Sequence, residues 1–401
     1  MTILEGPEVR SYPMARTCPF DPPPDMLDRL PAAKVRMPSG EQAWLVSGYE
    51  LQRSLLADRR LSADPRRPGF PFLSEADAAF RQSFKAFGFM DGRDHIMRRH
   101  ILGGYFTNRR AASMRAGIEA LTQNLLDRLA AGPRPADLVT GLALPLPTEV
   151  ICDILGVPYD DHELFHHNVA TIVSVGATAE EVGAAFQRLR AYFEVLTSVK
   201  QRDPGDDLLS MLVVEQLGAD GGLPREEVVD TAMLLLAAGH ETTANMIALG
   251  VLVLLQDPAR MELFRDGDDA TVVRGVDELL RYLSVVHSGL RRVAVEDIPI
   301  GGQTIRAGEG VVLPGEAANR DPSVYADADV VDLDRDAHQH LAFGYGPHHC
   351  IGRRIAEVQL RVVFRAVARG LPGLRLAADV ESLRFKHDQA IYGVESLPVT
   401  W

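Results

Sequence analysis

The sequence predicts a mainly α-helical fold with small β-sheets, organised as one domain over residues 1–401. Three observations lead there. Helical periodicity runs through most of 111–202 and, in the longest such stretch, through 224–256. Strand patterns are short: 34–37 and 43–46 flank Pro38-Ser39-Gly40 as a hairpin, and an alternating run at 292–300 turns at Gly301-Gly302 and returns over 303–313. No Pro/Ser-rich linker or low-complexity block divides the chain.

Composition narrows the class. A hydrophobic content of 46% is ample for a core, and a net charge of −13 argues against a nucleic-acid partner, which needs a basic footprint. Cys18, Cys152 and Cys350 are too few and too scattered for a disulfide framework, so a reducing compartment fits. The first thirty residues carry charges and prolines instead of an apolar leader. The apolar runs on either side of 238–243 are about ten residues each, too short to span a bilayer. A cytoplasmic protein with no membrane association is expected.

Taken in order, residues 1–30 read as irregular, with Pro22-Pro23-Pro24 extended. A short helix is expected at 49–58 and a loop at 64–72. Between 70 and 89 stand six of the 15 phenylalanines, Phe70, Phe72, Phe80, Phe84, Phe87 and Phe89, either as core or as pocket lining. His95 and Arg99 are four apart on a helical pattern, so both could hold one anionic group; a solvated face is the plain alternative. Gly132-Pro133-Arg134-Pro135 and Gly156-Val157-Pro158 break the next helices, and His166 and His167 read as surface or core histidines.

The 224–256 helix begins with Pro224 in its first turn and contains Ala238-Gly239-His240-Glu241-Thr242-Thr243. Glycine and threonine lower helix propensity there, and a threonine hydroxyl competes for the carbonyl four residues back. Glu278 and Arg281 put opposite charges three apart on one helical face. Finally, Phe343-Gly344-Tyr345-Gly346-Pro347-His348-His349-Cys350-Ile351-Gly352 ends where Ile355, Val358, Val362 and Ala366 begin a helical stripe. Cys350 thus falls at a helix N-terminus, where free N–H groups and the dipole favour a thiolate, the metal-binding form. Glycines at 344, 346 and 352 allow close backbone approach or dihedrals forbidden to other residues.

The string Phe343-Gly344-x-Gly346-x-His348-x-Cys350-x-Gly352 resembles the cysteine-ligand loop of the cytochromes P450, the haem-thiolate monooxygenases. The likeness extends to His95 and Arg99 with Phe106-Thr107-Asn108-Arg109-Arg110, to 238–243, and to Glu278 and Arg281. It implies haem b held between a long central helix and the cysteine-loop helix. Cys350 is then the axial iron ligand, with Phe343, Gly344 and Gly352 shaping its loop. His95, Arg99, Arg292 and His348 are implied to bind propionates, Arg291 leaving the register of Arg292 open by one residue. Ala238 and Gly239 belong to the oxygen-side helix, Thr242 to hydrogen bonding of dioxygen or water, and Glu241 to proton delivery. Glu278, Arg281 and Arg335 would form a fold-locking ion network, and 160–195 a mobile lid pair.

The implied activity is insertion of one atom of O2 into a C–H bond, by hydroxylation or epoxidation, of a hydrophobic molecule such as a polyketide, terpenoid or steroid. No flavin or dinucleotide fingerprint appears, so electrons must arrive from a ferredoxin and its reductase. Arg98, Arg109, Arg110, Arg353, Arg354, Arg361, Arg365 and Arg369 suggest a positive face for an acidic ferredoxin. After Gly352 the family usually reads x-x-Leu-Ala-Arg, whereas here Arg353-Arg354-Ile355-Ala356-Glu357 follows. Three rival readings fit less well: a peroxide-using haem-thiolate peroxygenase and a non-catalytic haem protein, both disfavoured by Glu241 and Thr242, and a zinc site from His338, His340, His348, His349 and Cys350, which leaves the glycines unexplained.

Overall fold

A computed structural model describes residues 9–28, 31–220 and 222–401. The irregular start expected for 1–30 therefore lies partly outside the described residues; within them Pro24–Leu27 forms one helical turn. The longest helix, Arg225–Leu254, has Pro224 as its N-cap, one residue earlier than its expected place, with Glu226 and Glu227 in the first turn. Almost every side chain from Thr243 to Leu254 is buried, so this helix runs through the interior.

Two neighbours fix its position. Gly239 packs against Ile151 of the Pro145–Leu155 helix so closely that a Cβ would come within 2.8 Å. Gly250 meets the ring of Phe364, itself buried on the Arg353–Gly370 helix, with no room for a Cβ. Small residues at both crossings let three helices approach at backbone distance. Asn108–Ala131 packs along the Arg353–Gly370 helix and completes this core.

The expected hairpin at 34–46 is present as Ala32–Arg36 paired antiparallel with Gln42–Val46. The run at 292–313 also folds back on itself, but in two pieces. Leu290–Ala294 pairs with Gly310–Leu313, and Ile298–Ile300 pairs with Gln303–Ile305. Between them the Val295 N–H turns away to donate to Arg60 O, and Asp297 accepts from the Ala307 N–H and Arg306. Gly310–Leu313 joins the first hairpin in parallel, giving a five-stranded sheet with Leu61–Ser62 at its far edge. No helix among the described residues is long and apolar enough to cross a membrane.

Glu278 and Arg281 lie on Asp269–Leu283 with no solvent exposure. Arg281 Nε and Nη2 donate to the two Glu278 oxygens at 2.6 and 2.8 Å, Arg335 Nε donates at 3.3 Å, and Arg281 Nη1 reaches the carbonyls of Asn319 and Ala328. The network that the sequence suggested is thus a buried clamp holding 319–335 against the helices.

Candidate active site

Two cavities meet at the middle of the central helix. One, of about 280 Å³, is lined by Cys350, Phe343, Gly344, His348 and Gly352 from the cysteine loop and by Ala238, Gly239, Thr242 and Thr243 from the helix opposite. The other, of about 230 Å³, lies beyond it and shares Ala238 and Thr242. Phe80, Phe84, Phe89 and Phe186 line the second cavity, with Ile172 and Val182 from the helices His162–Val173 and Ala179–Arg202. Three of the six clustered phenylalanines therefore reach the pocket; Phe87 is core, and Phe70 packs on Phe72.

The cysteine loop is built by backbone constraints. Gly344 and Gly346 take φ of 69° and 72°, left-handed values that favour glycine, and a Cβ on Gly346 would stand 2.5 Å from Leu56 O. Gly352 has an ordinary φ of −80° and caps the Arg353–Gly370 helix; a Cβ there would lie 3.9 Å from the Cys350 sulfur. The Cys350 N–H donates to Phe343 O at 2.9 Å, closing the loop. Cys350 retains exposed area although its sulfur lies deep in the fold, because that area faces the cavity it lines. Burial pushes its thiol up, opposed by the N–H groups of Gly352 and Arg353 and by the Arg99 and Arg353 charges. Burial thus opposes the helix-end preference for a thiolate that the sequence suggested, and a metal cation bound at this sulfur would favour the thiolate.

Around the loop stand an imidazole and two guanidiniums without a carboxylate partner among the described residues. His95, buried, stacks on His348 at 3.9 Å between ring centroids, and its Nε2 has no partner among the described residues. Burial and the adjacent His348 and Arg99 charges push His95 down to about 4. Arg99 donates to His349 O at 2.7 Å and has no carboxylate partner among the described residues. At 291 and 292 the two arginines differ: Arg291 is ion-paired with Asp77, whereas Arg292 has no carboxylate partner among the described residues and burial brings its guanidinium down to about 10. An orphaned imidazole nitrogen and two guanidiniums without carboxylate partners among the described residues, close to the cysteine loop, fit a group bearing carboxylates.

On the opposite wall the Thr242 hydroxyl donates to Ala238 O at 2.8 Å, the back-bond its position suggested. Glu241 is buried, accepts from Asn245 Nδ2 at 3.0 Å, and has Lys386 Nζ at 3.7 Å. Asn245 stands one helical turn on, so its place was readable from spacing. Lys386 comes from a distant segment and carried no local signal; there Gly393 leaves room for Asn245 that a Cβ would fill. His166, read as surface or core, is half-buried and shares a hydrogen bond with Thr148 Oγ1 at 2.9 Å.

The arginines of the cysteine helix are more internally engaged than their sequence suggested. Arg353, Arg354 and Arg361 converge on Glu357, which is 2% exposed, and Arg365 pairs with Asp269. Arg98 pairs with Glu227, and Arg369 bonds Arg265 O. The departure at Glu357 thus produces a buried hub. No group of three or more metal-binding His, Cys, Asp or Glu side chains is gathered among the described residues. His338 pairs instead with Asp336 and His340 lies near Asp277.

A helical fold with a cysteine loop and a threonine of the central helix lining one cavity, and an acid beside that threonine lining the next, is the arrangement expected of the haem-dependent oxygenases. The family model described as Cytochrome P450 matches residues 272–369. The chain is 43% identical over 398 residues to Cytochrome P450 GfsF of Streptomyces halstedii, covering 97% of this chain and 96% of that protein. It is 42% identical over 401 residues to the 20-oxo-5-O-mycaminosyltylactone 23-monooxygenase of Streptomyces fradiae, with 98% and 92% covered. The crystal structure of the mycinamicin VIII C21 methyl hydroxylase MycCI of Micromonospora griseorubida matches at a TM-score of 0.93 and 38% identity, covering 98% of this chain and all of that one. The chain belongs to the cytochrome P450 family: it is a monooxygenase whose cofactor is haem.

Proposed function

We propose that the whole chain, 1–401, acts as one cytoplasmic hydroxylase of a hydrophobic secondary metabolite. Cys350 would hold the iron; His95, Arg99, Arg292 and His348 would receive the propionates; Phe343, Gly344 and Gly352 would shape the cysteine side of the cofactor site, and Ala238 and Gly239 would line it from the central helix. When bound, the haem would supply dioxygen activation, which thiolate ligation by Cys350 would favour. The observation that carries this reading is that the cavity lined by Cys350 and the apolar one share Ala238 and Thr242 as lining residues.

The protein's own work follows from this placement. Phe80, Phe84 and Phe186 hold the target C–H bond and exclude water. Thr242 offers its hydroxyl where the cavities join, and Glu241, steadied by Asn245 and Lys386, passes protons inward. The relatives named for macrolide hydroxylations support a bulky oxygenated product of secondary metabolism as substrate. Electrons come from an acidic ferredoxin docking on the helix of His95. On that helix Ile96 and Met97 are exposed, with the exposed Arg93 three residues before Ile96, an apolar and basic face suited to a transient interface. The test is turnover with NADPH and a ferredoxin pair: Thr242→Ala should lower product formed per NADPH by about tenfold or more. Unchanged coupling would remove Thr242 from proton delivery.

A further inference from the structure

The apolar second cavity has one feature that catalysis does not use. Arg81 and Asp77, from the Glu75–Ser83 helix, both line it. Asp77 is fully engaged: Oδ1 accepts from Arg81 Nε at 2.5 Å and Arg291 Nη2 at 3.1 Å, while Oδ2 accepts from the Leu73 N–H at 3.1 Å and from Arg291 Nη1. One carboxylate therefore serves two guanidiniums. Arg291 is buried and turned to Asp77 and Pro71 O. Arg81 keeps 22% of its side chain accessible although it sits deep in the fold, so that area is pocket surface. Its Nη1 and Nη2 have no hydrogen-bond partner among the described residues, and it lies 5.2 Å from the centre of the Phe89 ring.

The remaining charge in the cavity is balanced, since Glu241 faces Lys386. Counting Asp77, Arg81, Arg291, Glu241 and Lys386 leaves one surplus cation, and its free donors are those of Arg81. A guanidinium left with open donors in an apolar wall is poorly solvated, and burial together with the Arg291 charge brings Arg81 down to about 10. The planar donor fork matches a carboxylate.

We infer that Arg81 is the anion-binding residue of the substrate pocket, and that the substrate is an apolar molecule bearing a carboxylate. The inference rests on reading this cavity as the substrate pocket. Asp77 and Arg291 are positioning residues: they fix Arg81 Nε and leave its outer nitrogens for the ligand.

The test compares dodecanoic acid with methyl dodecanoate, titrated into the holoenzyme at pH 8. Binding is followed by the Soret spin-state shift and by calorimetry. The acid should bind about tenfold or more tightly than the ester, as a charge-assisted hydrogen bond implies. Arg81→Met should abolish that preference and Arg81→Lys should keep part of it. Equal or weaker binding of the acid to the unaltered enzyme overturns the inference, and does so even if no variant folds. A preference that survives in Arg81→Met also overturns it, as does loss of haem from Arg81→Met with the preference intact, which would place Arg81 on the cofactor. The carbon monoxide spectrum is verified beforehand, so failure of the acid leaves the monooxygenase reading standing, whereas absence of that spectrum ends both.

Discussion

Glu278 and Arg281 stand three apart on a helix, a spacing that on a surface contributes only a few tenths of a kcal/mol. Here both are fully buried, and Arg335 adds a second guanidinium to the same carboxylate. Such a pair is a poor source of net stability but very costly to break, because the partner stays buried and uncompensated. Glu278→Gln should therefore destabilise the protein by about 3 kcal/mol in urea unfolding. A change below about 0.5 kcal/mol would mean the pair behaves as a surface one. The pairing itself was legible from spacing, since both residues lie on one helix. The sharing of Asp77 by Arg81 and Arg291, or of Glu357 by Arg353, Arg354 and Arg361, was not. A charge count along the chain cannot tell an arginine facing solvent from one turned to a buried carboxylate.

At the scale of elements, the central helix and the cysteine helix are held close by Gly250, which lies against the buried Phe364 ring. Alanine is the better helix former by about 1 kcal/mol, so propensity alone would have Gly250→Ala stabilise. The clash decides otherwise: the ring is enclosed and cannot withdraw, and overpacking of this kind costs about 1–3 kcal/mol. Gly250→Ala should lower the urea midpoint without changing the slope, and a raised midpoint would show that Phe364 has room to move. Helix existence and the first hairpin could be read from periodicity and turn residues. The split of 292–313 into two pairings could not, because Val295 and Asp297 leave the ladder for partners, Arg60 and Arg306, that local pattern does not reveal.

Across the whole molecule, the cysteine loop and the central helix line one cavity, while the helices His162–Val173, Ala179–Arg202 and Glu75–Ser83 line the next with rings. The two share Ala238 and Thr242, which stand about one turn apart on the central helix. The residues that line the cysteine cavity were readable because they cluster in short motifs. The second cavity was readable only in part: the phenylalanine cluster was open to a pocket role, but part of its remaining wall comes from segments near 234 and 390 that carry no local signal.

The central claim is that Cys350 ligates haem iron through its sulfur. The most direct measurement is the absorbance spectrum of the purified protein, reduced with dithionite and exposed to carbon monoxide. A strongly red-shifted Soret band that disappears in Cys350→Ala is the predicted result. A protein that cannot be loaded with haem, or a band that survives in Cys350→Ala, would contradict it.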